Sequence, residues 1–186
     1  MMLAFLLAAC AQLPGVASGE AAVPRPGRAA VSGFLLTGRI AVSQGQQRHA
    51  VNITWQRSAA RDEIFLATPL GQGIAELTRD AAGARLTTAE RREFSAPDWQ
   101  ALSVRIFGFP LPLSALPGWL LAEVPAEALG VRYDNAGRPQ RMVADGWQVA
   151  YLAYHSNAVD ALPELIELRR EDIEVRLKVD TWQLSR

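Results

Sequence analysis

The chain has 186 residues, of which 49% are hydrophobic and 20% charged, and its 19 basic residues balance its 19 acidic ones. This length supports one domain with a sizeable core, and the apolar fraction is too high for a disordered chain. A net charge of zero argues against a nucleic-acid partner, which would normally leave a basic excess. The only cysteine, Cys10, excludes both an intramolecular disulfide and a cysteine-based zinc site.

The first ten residues form an apolar run that ends in small residues. Such a run is typical of the hydrophobic region and cleavage site of a secretory signal, and a cysteine directly after Leu-Ala-Ala resembles a bacterial lipobox. We therefore expect residues 1–9 to be a signal peptide and Cys10 to be the lipidated N-terminus. Ala11 follows it rather than the aspartate of inner-membrane lipoproteins, so the resemblance points to the outer membrane. A buried N-terminal segment stays open as the alternative, because no basic residue precedes Arg25.

The next segment has the composition of a linker. Residues 11–32 contain three prolines and three glycines and no sustained hydrophobic period. A linker suits a domain attached to a membrane through Cys10, although a poorly ordered terminus without a role has the same composition. We expect the lipidated N-terminus and linker to cover residues 10–33 and the folded domain to cover residues 34–186.

From Phe34 onward, apolar residues recur at every second position. In residues 49–56 the odd positions are apolar from Val51 onward and the even ones from Asn52 are polar, and residues 173–180 alternate in the same way. Turn-forming clusters, the last of them Asp-Asn-Ala-Gly, separate the runs. Strands with one apolar face and one polar, solvent-exposed face indicate an antiparallel sheet. We expect about eleven short strands, enough to form a barrel or a strongly bent sheet.

Two short helices interrupt this pattern. Residues 97–107 begin with Pro-Asp, carry an apolar stripe at helical spacing and end before Gly108, which predicts a helix. Ser114 is the expected cap of a second helix that ends at Leu121, with Pro117 in its first turn. Two such helices cannot cover both faces of a large sheet, so we expect them to fill or cover its concave side.

Five segments then follow one another in order between Phe34 and Leu184: Thr37-Gly38-Arg39-Ile40-Ala41-Val42; Pro69-Leu70-Gly71-Gln72; Gly108-Phe109-Pro110-Leu111-Pro112-Leu113 with Trp119-Leu120; Gly146-Trp147-Gln148-Val149-Ala150-Tyr151; and Val175-Arg176-Leu177-Lys178-Val179 before Trp182. Together they resemble the LolB family of outer-membrane lipoprotein receptors. The resemblance implies a mainly β fold with short helices, a half-closed antiparallel barrel with helices across a hydrophobic cavity.

The resemblance also implies an activity and its partners. The family accepts acylated lipoproteins from the periplasmic carrier LolA and inserts them into the outer membrane, where it is itself lipid-anchored and faces the periplasm. We therefore expect three partners: a LolA-like carrier, lipoprotein cargo and the phospholipid surface. The protein is expected to act as a monomer. No Gly-x-x-x-x-Gly-Lys-Ser/Thr loop is present in the sequence, so transfer without nucleotide hydrolysis is expected.

A carrier of acyl chains needs a dry pocket, because each buried methylene contributes roughly 0.8 kcal/mol. We expect its wall to consist of inward-facing residues of the strands and the helices, although ordinary core packing explains each of them equally well. These residues are Ile40, Val42, Val51, Ile53, Trp55, Leu116, Trp119, Leu120, Trp147, Val149, Val175 and Leu177.

Leu70 lies between Pro69 and Gly71, so a turn there would place its side chain at a loop tip. Turn chemistry alone leaves open a leucine that folds back onto the sheet or is exposed without a role. By the resemblance, the leucine of the Pro-Leu-Gly loop acts in membrane insertion, and Leu70 occupies that position.

Enzymatic motifs are lacking in the sequence. His49 and His155 are far apart, no Gly-x-Ser-x-Gly motif is present, and acidic residues such as Asp62-Glu63 are expected in solvated turns. We predict that the protein is not an enzyme and uses no metal or cofactor, although a hydrolase with two carboxylates brought together by the fold stays open. Two non-enzymatic functions also stay open: a lipid-anchored periplasmic protein that binds another lipid, and a structural outer-membrane assembly lipoprotein with a filled core.

Overall fold

The computed structural model describes residues 28–186, so Cys10, the predicted signal peptide and most of the predicted linker lie outside the described residues. A 3₁₀ turn (Arg28–Ala30) precedes the first strand. The elements that follow are β1 (Gly33–Gln44), β2 (Gln47–Arg57), β3 (Asp62–Ala67), β4 (Gly73–Asp80), β5 (Gly83–Thr88), β6 (Glu93–Ala96), α1 (Trp99–Phe107), α2 (Leu116–Leu120), β7 (Leu129–Tyr133), β8 (Pro139–Ala144), β9 (Trp147–Tyr154), β10 (Pro163–Arg170) and β11 (Ile173–Ser185).

The strands form one 11-stranded sheet in the order β6-β5-β4-β3-β2-β1-β11-β10-β9-β8-β7. Every neighbouring pair is antiparallel, and the first and last strands of the chain pair along most of their length. The edge strands β6 and β7 are not hydrogen-bonded neighbours, so the barrel is only half closed. The predicted mainly β, half-open architecture with two short helices is confirmed.

Tight turns connect the strands at the clusters identified in the sequence. The β7–β8 turn begins at Asp134, whose Oδ1 accepts hydrogen bonds from the backbone N–H groups of Ala136 (3.0 Å) and Arg138 (2.9 Å). Burial alone would raise the pKa of Asp134, but the Arg138 side chain and these N–H groups outweigh burial and hold the pKa below its usual range. The Asp-Asn-Ala-Gly cluster is therefore a hairpin turn, as predicted.

One glycine is required by a close approach between strands. The register of β1 against β11 shifts between Thr37 and Gly38. A Cβ atom on Gly38 would lie 2.1 Å from the carbonyl oxygen of Lys178. Only glycine fits there without displacing the backbone, which explains why Gly38 interrupts an otherwise ordinary strand sequence.

Helix α1 agrees with its prediction, whereas α2 starts later than predicted. Asp98 caps α1 by accepting a hydrogen bond from the N–H of Ala101 (2.8 Å), and Gly108 ends it with a left-handed backbone. The predicted cap at Ser114 is wrong: α2 begins at Leu116 after a turn and has no side-chain cap. The carbonyl of Pro112 accepts the N–H of Leu116 (2.8 Å), so the preceding turn satisfies a donor that a cap would otherwise bind.

The core lies on the concave face of the sheet, where four tryptophans are almost completely buried: Trp55, Trp99, Trp119 and Trp147. Helix α1 lies against β5 and β6. The hydroxyl of Tyr151 on β9 donates to the carbonyl of Trp119 on α2 (3.0 Å), which fixes the second helix over the sheet. The two helices therefore cover the concave side, as expected.

The expectation that Asp62 lies in a solvated turn is wrong. Its side chain is completely buried, with 0% of its surface exposed. In the register of the sheet, Asp62 is paired with Arg57 on one side and with Arg79 on the other, so both guanidinium groups reach its carboxylate. A charge at this inward position is tolerated because two cross-strand cations neutralise it.

Among residues 28–186, no helix is both long and apolar enough to cross a bilayer.

Candidate functional site: an apolar cavity and an exposed leucine loop

A cavity of about 420 Å³ lies between the concave face of the sheet and the segment that joins the two helices. Its sheet side is formed by β1, β2, β3, β4 and β11, and its other side by the end of α1, the following loop and the start of α2. The residues that line it are Ile40, Val42, Gln44, Gln47, His49, Val51, Ile53, Trp55, Ile64, Leu66, Leu77, Ile106, Phe107, Phe109, Leu111, Leu113, Leu116 and Leu177. Nearly all are hydrocarbon side chains.

The cavity opens at one end of the sheet. On β2, the inward-facing Trp55 and Ile53 are 0% and 5% exposed, Val51 is half-buried, and His49 is exposed. The β1–β2 hairpin therefore forms a rim, and the cavity deepens from His49 towards Trp55. We call this end of the sheet the mouth end. The β3–β4 hairpin lies at the same end, because Asn52 of β2 pairs with Ala67, the last residue of β3.

The closed end of the cavity is fixed by the Asp62 carboxylate. Its Oδ1 accepts a hydrogen bond from Trp55 Nε1 (3.2 Å) and from Arg57 (3.0 Å), and its Oδ2 accepts one from Arg79 Nε (2.8 Å). Trp55 thus presents an apolar ring to the cavity, while its only polar atom, Nε1, donates its hydrogen bond to Asp62, which does not line the cavity. These hydrogen bonds fix the orientation of the Trp55 ring at the base of the cavity.

The cover of the cavity is tied down by a different kind of contact. The hydroxyl of Ser103 on α1 accepts a hydrogen bond from the N–H of Leu111 (3.0 Å) and donates one to the carbonyl of Gln100 (2.9 Å). This bond holds the loop after α1 close to the helix, so that Phe109, Leu111 and Leu113 can face the cavity. Two further hydrogen bonds join the helices to the sheet: Arg105 on α1 donates to the carbonyl of Ser95 on β6 (2.8 Å), and Tyr151 donates to the carbonyl of Trp119 on α2.

The residues predicted for the cavity wall fall into two groups. Ile40, Val42, Val51, Ile53, Trp55, Leu116 and Leu177 line the cavity. The others are buried in the core and do not line this cavity: Trp119, Leu120, Trp147, Val149 and Val175. Trp119 and Leu120 are the buried side chains of α2 itself, which lies against β9 through the Tyr151–Trp119 hydrogen bond.

Several lining residues were not predicted from the sequence. Ile64 and Leu66 on β3 follow the same period of two as Val51 and Ile53, so this signal was available. Phe107 ends α1, outside the helical stripe that was recognised. The polar residues Gln44, Gln47 and His49 carry no hydrophobic signal at all, and only the pairing of β1 with β2 places them at the rim.

The Pro69–Gly71 loop projects at the mouth end. The N–H of Thr68 donates to the carbonyl of Gln72 (2.8 Å), and Gly71 has a φ of 86°, so Pro69, Leu70 and Gly71 form a three-residue hairpin loop with glycine in the left-handed position. Leu70 is 97% exposed. Its side chain does not fold back onto the sheet.

Two further apolar side chains lie at the base of this loop. Phe65 on β3 is 47% exposed and its ring lies against Gly73, while Ile74 on β4 is also exposed. The loop region therefore presents three exposed apolar side chains: Leu70 almost completely exposed at its tip, and Phe65 and Ile74 partly exposed at its base. An exposed apolar cluster of this kind indicates a contact with another apolar surface.

The histidines are not near one another. His49 lies on the rim of the cavity, and His155 follows β9 in the loop that leads to β10. No group of three metal-binding side chains occurs in the part of the chain that the structure describes.

Comparison with known proteins gives a consistent result. Residues 32–182 match the family model described as "Outer membrane lipoprotein LolB". The chain is 36% identical to outer-membrane lipoprotein LolB of Azoarcus sp. (strain BH72), with 96% of this chain and 95% of that protein covered. It is 38% identical to the protein of the same name from Nitrosomonas europaea, with 81% and 72% covered, and 33% identical to that from Thiobacillus denitrificans, with 95% and 97% covered.

A solved structure is similar in fold. A DUF1329 family protein from Desulfovibrio piger matches with a TM-score of 0.52 over 83% of this chain and 86% of that chain, at 6% sequence identity. At this identity the likeness concerns the architecture only.

Proposed function

The chain belongs to the LolB family of outer membrane lipoproteins, and from this premise we propose that it receives acylated lipoproteins in its cavity and inserts them into the outer membrane. The role in lipoprotein localisation follows from the family. The binding of acyl chains in the cavity and the use of the leucine loop are the parts that we add.

The observation that carries the proposal is the size and apolar character of the cavity. A methylene occupies about the volume of a water molecule, roughly 30 Å³. The cavity of about 420 Å³ is therefore large enough for a hydrocarbon chain of about a dozen carbons or more. At roughly 0.8 kcal/mol per buried methylene, sheltering such a chain from water is worth on the order of 10 kcal/mol.

Transfer needs no nucleotide hydrolysis in this scheme, because direction comes from differences in affinity. The cargo moves from a LolA-like carrier to the receptor and then to the bilayer if each step binds the acyl chains more tightly than the last. The cavity wall contributes hydrocarbon contact rather than catalysis, so the protein acts as a receptor and not as an enzyme.

The projecting loop acts in the last step. A leucine side chain that is fully exposed in water gains about 1.5–3 kcal/mol when it enters an apolar phase. We assign Pro69, Leu70 and Gly71 as the loop that inserts into the outer-membrane phospholipid surface. Its position at the mouth end places this contact beside the opening of the cavity.

The anchor and domain limits complete the proposal. Residues 1–9 are the signal peptide, Cys10 is lipidated, residues 10–33 form the linker and residues 34–186 form the receptor domain, which acts as a monomer facing the periplasm. A Cys10→Ala variant is expected to be released from membranes in the soluble fraction of cell extracts. Continued membrane association would count against the lipid anchor.

The direct test is transfer from a loaded soluble carrier. A LolA-like carrier with bound radiolabelled lipoprotein is mixed with the purified domain lacking residues 1–10, and the lipoprotein is then followed by size-exclusion chromatography. We expect the label to move to the receptor without nucleotide. Retention of the label on the carrier would refute receptor function.

A second candidate, binding of another lipid, is favoured only by the general apolar character of the cavity. It predicts that the domain binds phospholipid or free fatty acid tightly but takes no lipoprotein from the carrier. A purely structural role predicts a filled core, and the cavity of about 420 Å³ counts against it.

A further inference from the structure

Three polar side chains stand in a row at the rim of the cavity. Gln44 and Gln47 are cross-strand partners that close the β1–β2 hairpin, and His49 is paired with Val42. All three line the cavity, although the positions that follow them on the same face, from Val51 to Trp55, are apolar. The inward face of β2 therefore changes from polar to apolar at one point, between His49 and Val51.

These side chains are free to bind a ligand. Within residues 28–186, none of the three donates or accepts a side-chain hydrogen bond to another described residue. They are exposed at the opening, and each carries at least one N–H donor. A need for solubility does not explain why these three polar side chains line the cavity, because residues on the outward face of the hairpin, such as Arg48, already make it polar.

The length of the cavity face matches the length of an acyl chain. His49 and Trp55 are six residues apart on β2, about 20 Å at roughly 3.3 Å per residue. An extended chain of 16 carbons, with single bonds of about 1.5 Å that advance roughly 1.3 Å along the chain, is also about 20 Å long. A chain whose methyl end reaches Trp55 therefore has its carbonyl carbon at His49.

From this juxtaposition we propose that Gln44, Gln47 and His49 bind the carbonyl groups that join acyl chains to the lipidated cysteine. The rim donates hydrogen bonds to the ester carbonyls of the diacylglyceryl group or to the N-acyl amide, and so orients the cargo with its tails inward and its peptide outside. The inference rests on the proposed function, and it specifies which chemical group of the cargo this chain recognises. Phospholipids share the ester carbonyls, so the test includes one.

The experiment compares three ligands on the domain lacking residues 1–10. Diphenylhexatriene is a hydrocarbon fluorophore without polar atoms, and its binding reports on the apolar wall alone. An N-palmitoyl, S-dipalmitoylglyceryl-cysteinyl peptide and dipalmitoyl phosphatidylglycerol are measured as its competitors. The variants are the double substitution Gln44→Leu with Gln47→Leu, the substitution His49→Phe, and Arg48→Leu as a matched control on the outward face.

A hydrogen bond to a neutral carbonyl contributes about 2- to 10-fold in affinity. We expect the double variant to weaken the lipopeptide about 5- to 50-fold and His49→Phe about 2- to 10-fold, while the Kd of diphenylhexatriene changes less than twofold in both. Arg48→Leu should change neither. If the phospholipid loses as much affinity as the lipopeptide, the ester carbonyls are the recognised group. If the lipopeptide loses more affinity than the phospholipid, the N-acyl amide is recognised as well.

Other results would overturn the inference. If lipopeptide and diphenylhexatriene weaken by the same factor, the rim is only part of the wall, and if the lipopeptide is unaffected, the rim does not contact it. Circular dichroism of each variant controls for folding. If the domain without substitutions binds neither the lipopeptide nor diphenylhexatriene, the proposed function itself fails. This result is distinct from a failure of the rim alone.

Discussion

Filling the cavity with one side chain should abolish most of the acyl-chain affinity without loss of stability. Val51 lies on the sheet side of the cavity beside its cross-strand partner Ile40, and its substitution by phenylalanine adds four carbons directed into the cavity. Each of these carbons displaces about one methylene of the ligand, at roughly 0.8 kcal/mol each. We therefore expect Val51→Phe to cost up to about 3 kcal/mol of binding, close to 100-fold in Kd.

The assay is competition between an acylated peptide and an apolar fluorophore, with thermal unfolding measured in parallel. Phenylalanine has a high strand propensity and enters a void, so the unfolding midpoint should stay the same or rise. Val143→Phe, on the exposed face of β8, is the matched control and should leave binding unchanged. An unaltered Kd in a folded Val51→Phe protein would show that acyl chains bind elsewhere.

Three further predictions follow from the geometry. Leu70→Glu should change the free energy of unfolding by less than about 0.5 kcal/mol and leave acyl binding intact, yet block delivery of lipoprotein to liposomes. The control Leu152→Glu, at an exposed strand position, should deliver lipoprotein normally. Normal delivery by both variants would show that the loop has no part in the mechanism. Asp62→Asn should destabilise the domain by about 3 kcal/mol in urea unfolding, because it leaves two guanidinium groups without a counter-charge, and a loss under 1 kcal/mol would contradict this. Asp134→Asn should lower stability on the order of 1 kcal/mol at neutral pH. Because the pKa of Asp134 is lower in the folded state, the stability difference between the unsubstituted protein and the Asp134→Asn variant should persist at pH values above the unfolded-state pKa near 3.9. It should vanish as the pH falls through the folded-state pKa. A stability difference that does not depend on pH would exclude the charge of Asp134 as its cause.

The strands and the first helix were predictable because their determinants are local. Alternation around Val51 and Ile53 specifies a half-buried strand, and Asp98 and Gly108 mark the two ends of α1 by known cap chemistry. The cap at Ser114 was mispredicted because a turn closed by the Pro112 carbonyl does the same work without a side chain. The start of a helix is hard to predict from the sequence where either a side-chain cap or a preceding turn can accept the first backbone N–H groups.

The candidate site was harder to predict because it depends on which parts of one apolar face are covered. Val149 and Val51 both lie in strands of period two, yet Val149 is buried on β9, where α2 is attached through Tyr151, whereas Val51 lines the cavity. The role of Asp62 is likewise invisible in the sequence, since its two arginine partners become neighbours only when β2, β3 and β4 pair in register. Periodicity identifies the face, and the tertiary fold decides whether it encloses space.

The unpaired edges β6 and β7 give the barrel a mechanical property that a fully hydrogen-bonded barrel lacks. To widen a closed barrel, ladder hydrogen bonds must break, and each broken bond would be left without a partner in an apolar interior. Here the loop and helices over the concave side can move outward while every strand keeps its neighbours, and the resisting forces are dispersion contacts and a few isolated hydrogen bonds. The domain is therefore expected to yield more easily between β6 and β7 than along its strands. Under the function proposed above, cargo bulkier than one acyl chain would then be held by an outward movement of the helices rather than by unfolding of the sheet.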